Sequence, residues 1–171
     1  MELAGPSAAR LGRYAADVTI RDPLHRKTVI LPYMIIMSDE FKKRLKDYVR
    51  NGGTAVLTAR TAWKDTDNNL IFGKRLPVDL DDLTGCVLEE QETLLSGQSS
   101  PCVYEDTEGE GYIFAEMLKV TDGKEVISWK NSPFGDYAAA VCKEYGKGRC
   151  FYLGSSFNEE ILTELFDEIL K

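Results

Sequence analysis

The sequence predicts an α/β fold: a mostly parallel sheet flanked by helices, followed by a strand-rich C-terminal part. Three consecutive stretches carry that expectation. "TVILPYMIIM" (28–37) is the most apolar run and opens on β-branched residues, as strands buried on both faces do. "SDEFKKRLKDYVRNGG" (38–53) places Phe41, Leu45, Tyr48 and Val49 on one helical face. "TAVLTA" (54–59) follows at once as a second buried strand. Strand, helix and strand joined by short links make a βαβ unit, with a right-handed crossover expected.

The remaining elements follow in chain order. "SAARLGRYAA" (7–16) reads as a helix with Leu11, Tyr14 and Ala15 on one face, and "DVTI" (17–20) as a short strand. "RDPLHRK" is a polar loop. Pro32 ends or turns the first buried strand. In the helix at 38–53, Ser38 suits the N-cap, Asp39 and Glu40 suit the positive end of the dipole, and Gly52 and Gly53 stop it. "GKRLPVDLDDLTGC" is a turn and a short helix around Leu80 and Leu83. "VLEEQETLL" reads as a strand and "SGQSSP" as a loop. "CVYED", "EVISWK", "YAAAVCKEY" and "GRCFYLG" are short strands parted by turn signals such as "TDGK" and "YGKG". "YIFAEMLKV" reads either as a strand or as a helical turn. "NEEILTELFDEILK" closes the chain as an amphipathic helix. Its stripe is Ile161, Leu162, Leu165, Phe166, Ile169 and Leu170, and Asn158 is placed to cap it. No repeat, low-complexity tract or linker interrupts residues 1–171, so one domain is expected. A doubly wound domain normally opens on a strand, and residues 1–6 contain none. The expected consequence is a sheet edge left uncovered, in a chain that is a piece of a larger protein or lacks its first strand.

Composition narrows the function classes. A chain of 171 residues with 43% hydrophobic and 29% charged residues can bury an ordinary core without metal or disulfide staples. Its net charge of -7 repels phosphate backbones, so nucleic acid is not an expected partner. No apolar run has the length of a membrane span, and "MELAGPSAAR" lacks the basic start and apolar core of a secretory signal. Cys86, Cys102, Cys142 and Cys150 form no CxxC pair. With a single His25 they read as small thiols of a reducing cytoplasm rather than as metal ligands. No metal and no cofactor is expected.

Chemistry-bearing patterns are sparse. There is no GxGxxG and no GxxxxGK[ST], and "YGKGRC" reads as a hairpin turn. Thr58, Thr61, Ser155 and Ser156 lie near strand ends, but only His25 could serve as a base, so a hydrolytic triad is not expected. "DTDNN" spaces Asp65, Asp67 and Asn69 like the start of a calcium loop. Leu70 and Leu76 then stand where the loop needs Gly and Glu. The acidic clusters Glu89, Glu90, Glu92 and Asp79, Asp81, Asp82 read as solvated surface.

The loop "RTAWKDTDNN" (60–69) stands out because it follows a buried strand, and ligands of open α/β sheets bind beyond the carboxyl ends of strands. Arg60 and Asp65 are of the types that form a bidentate pair and fix a loop. Trp63 adds a large apolar plane, and exposed Trp and Arg anchor protein interfaces. Arg60, Thr61, Trp63, Lys64 and Asp65 are therefore the candidate residues. A structural or interface role outweighs direct ligand binding, with a free-standing carbohydrate or small-ligand module as the alternative.

The same residues resemble a known family. "VILPYMIIMSDEFKKRLKDYVRNGGTAVLTARTAWKDTDNNLIF" is similar to the trimerisation domain of glycoside hydrolase family 42 β-galactosidases, through Pro32, Gly52, Gly53, Arg60, Thr61, Lys64 and Asp65. "LDDLTGCVLEE" resembles a second block of that family. "AAAVCKEYGKGRCFYLGSSFNEEIL" resembles its close, through Gly146, Lys147, Gly148, Tyr152 and Gly154. Ala62 departs from the family's usual Gly. The resemblance implies a flavodoxin-like fold of the class I glutamine amidotransferase type without its catalysis, since Ala59 and Arg60 stand near the elbow and no late His follows. It further implies self-association into trimers, no catalytic residue in this chain, and a parent that hydrolyses terminal β-galactosides with two Glu in a (β/α)8 barrel. That barrel is absent from these residues.

Overall fold

A computed structural model describes residues 22–130 and 136–170. The expected helix at 7–16 and strand at 17–20 lie outside the described residues. The chain runs β1 (Thr28–Leu31), α1 (Asp39–Arg50), β2 (Thr54–Thr58), α2 (Asp81–Thr84) and β3 (Cys86–Thr93). Then follow β4 (Ser100–Tyr104), β5 (Thr107–Tyr112), β6 (Phe114–Val120), β7 (Lys124–Trp129), β8 (Ala138–Tyr145), β9 (Gly148–Leu153), β10 (Ser156–Phe157) and α3 (Glu159–Ile169).

The fold class differs from the sequence expectation. Among the described residues the protein is mostly β, a single mixed sheet of ten strands with few helices, and not a helix-flanked, flavodoxin-like parallel sheet. The main path runs β1-β2-β9-β8-β7-β4-β5-β10, with β3 on β6 and β6 joined to β8. Among the strands of the described residues, only β1 on β2 and β2 on β9 pair in parallel, and the other strand pairs are antiparallel. The physical reason lies in the connections. A parallel pair needs a crossover, and α1 supplies the one between β1 and β2. From β4 onward, links of a few residues, such as those between β4 and β5 or β8 and β9, reverse the chain and leave the antiparallel arrangement. "YIFAEMLKV" resolves as strand β6. Residues 107–112, "TEGEGY", form β5, which their glycines and acids concealed.

Local signals hold where they are strong. Ser38 caps α1, its Oγ accepting from the Phe41 N–H at 3.2 Å, and Leu45 and Val49 are fully buried on the predicted face. Asn158 stands at the N-cap of α3, but its side-chain oxygen accepts from the Glu110 N–H of β5 at 3.0 Å instead of capping. The sheet separates two apolar clusters. Ala55, Leu57, Cys150 and Tyr152 face α1 and α2, whereas Val56, Phe151 and Leu153 join Ile161, Leu165 and Phe166 of α3. Alternation along β2 and β9 thus buries both faces of the parallel core. Strand β1 ends the sheet among the described residues.

Candidate functional site

The parallel registers bring the carboxyl ends of β1, β2 and β9 together. Tyr33 follows β1, residues 59–65 follow β2, and Ser155 and Ser156 follow β9. Tyr33 ties all three, with its N–H donating to Thr58 Oγ1 at 2.7 Å and its hydroxyl 2.6 Å from Ser156 Oγ.

The loop after β2 is held by backbone bonds to the chain after β1. The N–H groups of Ala62, Trp63 and Lys64 donate to the carbonyls of Met34, Ile35 and Ile35 at 2.9, 2.9 and 3.0 Å. Thr61, fully buried, donates its hydroxyl to the Thr58 carbonyl at 2.7 Å. Lys64 Nζ donates to Asn68 Oδ1 at 2.9 Å. Asp65 folds the outer turn, accepting from the N–H groups of Asp67 and Asn69, both at 2.9 Å. The Asn69 backbone bond holds its carboxyl below the usual carboxylate range.

The expected Arg60–Asp65 pair is not formed. Asp65 is occupied by its own turn, and the Arg60 guanidinium lies between two rings, 4.8 Å from the centroid of Trp63 and 5.1 Å from that of Phe114. The difference is geometric: Arg60 turns inward at the elbow while Asp65 caps a turn further out. One face of Trp63 is therefore taken by the cation, and both Arg60 Nε and Trp63 Nε1 are buried without a hydrogen-bond partner. A Trp face so covered is a poor stacking platform for a sugar.

Sequence reading missed the residue beneath the elbow. Glu116 of β6 is fully buried, with its Oε1 accepting from the Arg60 N–H at 2.8 Å and its Oε2 from the Tyr152 hydroxyl at 2.9 Å. Burial pushes its carboxyl up to about 7, against the Arg60 N–H, the Tyr152 hydroxyl and the Arg60 charge. The available signal was a single carboxylate inside the apolar run "FAEML". Non-glycine residues in the left-handed region also gather here: Tyr33 (φ 48), Arg60 (φ 64), Ala62 (φ 56) and Ile113 (φ 71), the last preceding Phe114. Such positions concentrate where function demands a particular loop shape. Ala62 thus holds, as alanine, the kind of conformation that glycine adopts freely.

Around the elbow lie exposed apolar side chains. Lys64 bridges Ile36 and Leu70, which are 43% and 49% exposed, and Phe72 beyond them is 87% exposed. Elsewhere, burial pushes the Cys86 and Cys102 thiols up to about 12 and Cys142 to about 11, which disfavours their thiolate forms. Among the described residues all four cysteines are free and no His, Cys, Asp and Glu cluster has the geometry of a metal site. No helix of the described residues is long and apolar enough to cross a membrane.

Comparison with known proteins agrees with this arrangement. The β-galactosidase BgaA of Clostridium cellulovorans is 31% identical over 147 residues, covering 84% of this chain and 22% of that protein. LacA of Lactobacillus acidophilus, also a β-galactosidase, is 25% identical over 142 residues, covering 83% and 21%. The chain therefore spans about one fifth of the length of the relatives it matches. Among solved structures, Gan42B, a GH42 β-galactosidase, superposes with a TM-score of 0.80 at 24% identity over 86% of this chain and 21% of that one. The β-galactosidase of Bacillus circulans sp. alkalophilus gives 0.78 at 21% identity over 84% and 22%. Residues 8–171 match the family described as the β-galactosidase trimerisation domain, and the chain belongs to that family.

Proposed function

We infer that this chain is a non-catalytic assembly domain of a β-galactosidase and that it brings copies of the parent together through the surface around the Arg60 elbow. The observation that carries the reading is apolar exposure at that surface: Phe72 is 87% exposed, with Ile36 and Leu70 beside it and Tyr33 and Ile113 across the elbow. Clustered exposure of large apolar groups marks contact surfaces. Trp63 and Arg60, stacked and rigid, are suited to anchor such a contact. Thiols held protonated by burial support a role outside catalysis. The intact parent would hydrolyse terminal β-galactosides with two carboxylates in a barrel beyond these residues, and the free thiols suit a cytoplasmic setting.

The test is native mass by light scattering across a concentration series. Wild type self-associates towards a trimer, and Phe72→Asp shifts the equilibrium to monomer at unchanged circular dichroism. A wild-type chain that stays monomeric at every concentration would overturn the reading that this domain carries the assembly contacts itself.

A further inference from the structure

Glu116 is the only fully buried carboxylate among the described residues, and the Arg60 charge favours its ionised form from beyond direct contact with its oxygens. Its oxygens are spent instead on the elbow and the neighbouring strand. The Arg60 N–H and the Tyr152 hydroxyl donate to it directly, and the Thr61 N–H reaches the Tyr152 hydroxyl oxygen. Two successive backbone N–H groups of the elbow thus end on one buried acid, the second through a phenol. The backbone that offers them is left-handed at Arg60 and Ala62, which L-residues other than Gly, Asn and Asp avoid. Trp129 adds a fixed frame, its Nε1 donating to the Glu116 carbonyl at 2.8 Å.

We propose that Glu116 is a protonation-sensitive latch of the loop: its carboxylate holds Arg60 and Thr61 in the left-handed elbow, and proton uptake from solvent releases that hold. When Glu116 is ionised, each donor aimed at the carboxylate has an acceptor. The phenol proton goes to Oε2, the phenol oxygen accepts from Thr61, and Oε1 accepts from Arg60. With a proton on Oε2, either the acid donates to the phenol oxygen or the phenol donates to a neutral hydroxyl oxygen, and in both cases the charge-assisted bond between them is lost. The Arg60 bond then ends on a neutral oxygen and is about half as strong.

Three titratable or charged groups face Glu116 from the elements packed on it. Arg60 lies in the loop after β2, Tyr152 on β9 and Cys86 on β3. Burial pushes the phenol well above its ordinary value and the thiol to about 12, so both stay protonated while Glu116 titrates near neutrality. The latch goes beyond the assembly role and does not depend on it, because it concerns one chain's own hydrogen bonds.

The experiment is a pH titration of the isotopically labelled chain by NMR. It follows the Glu116 carboxyl carbon together with the Arg60 and Thr61 backbone amides. The three resonances share a midpoint near 7. Tyr152→Phe moves the common midpoint upward, because a donor to the carboxylate is lost, and Glu116→Gln abolishes the amide transitions. A carboxyl that titrates while both amides stay still would overturn the proposal, as would amide transitions that survive in Glu116→Gln. Should Glu116→Gln fail to fold, the wild-type co-titration and the Tyr152→Phe midpoint decide alone.

Discussion

The two reversals that bracket the parallel core are built by opposite means. The turn between β8 and β9 is closed by backbone against backbone. A Cβ on Gly148 would meet the carbonyl oxygens of Gly53 and Val49 at 2.2 and 2.3 Å, and one on Gly146 would meet the Arg50 carbonyl oxygen at 2.6 Å. Only glycine fits, and the sequence announces it. The elbow after β2 has no glycine at its left-handed positions, Arg60 and Ala62. It is held by Glu116, 56 residues away in the chain, and by the carbonyls of Met34 and Ile35. One reversal is encoded where it occurs; the other is encoded in a distant strand. The second kind can respond to conditions, because a titratable side chain holds it.

The largest expected effect breaks the first reversal. Gly148→Ala forces two backbone carbonyls to move and costs about 3 kcal/mol, read as a lowered denaturation midpoint. Gly52, whose added Cβ would meet only Lys147 atoms at 3.9 Å or more, clashes with nothing but stands at φ 112, so its substitution is opposed by conformation rather than space.

The next effect distinguishes the second reversal by pH. Glu116 titrates from a usual carboxyl value of 4.5 up to about 7 in the folded chain, so the folded state binds the extra proton between those values. Its contribution is full below 4.5 and is lost as pH rises through 7, on the order of 3 kcal/mol in all. Asp65, Asp79 and Asp122 are shifted downward, so their contributions are already full across this window and fall away only in more acid solution. Denaturation of Glu116→Gln from mildly acid to mildly basic pH shows a flatter profile than wild type. An identical slope would remove Glu116 from the account.

Tyr152→Phe sharpens the same comparison. It removes a bond to a charged group above neutral pH and costs about 2 kcal/mol there, less in acid where the acceptor is neutral. The smallest effect sets two buried alanines against each other. Ala140→Gly, in the middle of β8, loses a packed methyl and adds strand entropy, about 1.5 kcal/mol together. Ala62→Gly loses the same methyl but relieves the left-handed backbone, so its change is about zero. Equal losses at the two sites would mean that the elbow stores no conformational cost.

What the sequence by itself determined was local. Ser38 and the stripe of Leu45 and Val49 specify α1, Leu165 and Phe166 specify α3, and the β-branched runs specify β1 and β2, because helical and strand periodicities are properties of neighbours along the chain. The blocks around Arg60 and Gly148 also carried the family. Strand direction was decided only in three dimensions, since pairing depends on how short links reverse the chain and not on the strands' composition. So was β5: Gly109 and Gly111 look like turn residues, yet a Cβ at either would strike Ile161 and Asn158 or Ser155 and Trp129. Their smallness lets a strand pass under α3 and Trp129. The burial of Glu116 was likewise settled by tertiary structure, because a carboxylate is tolerated in a core only where distant donors, here the Arg60 N–H and the Tyr152 hydroxyl, converge on it.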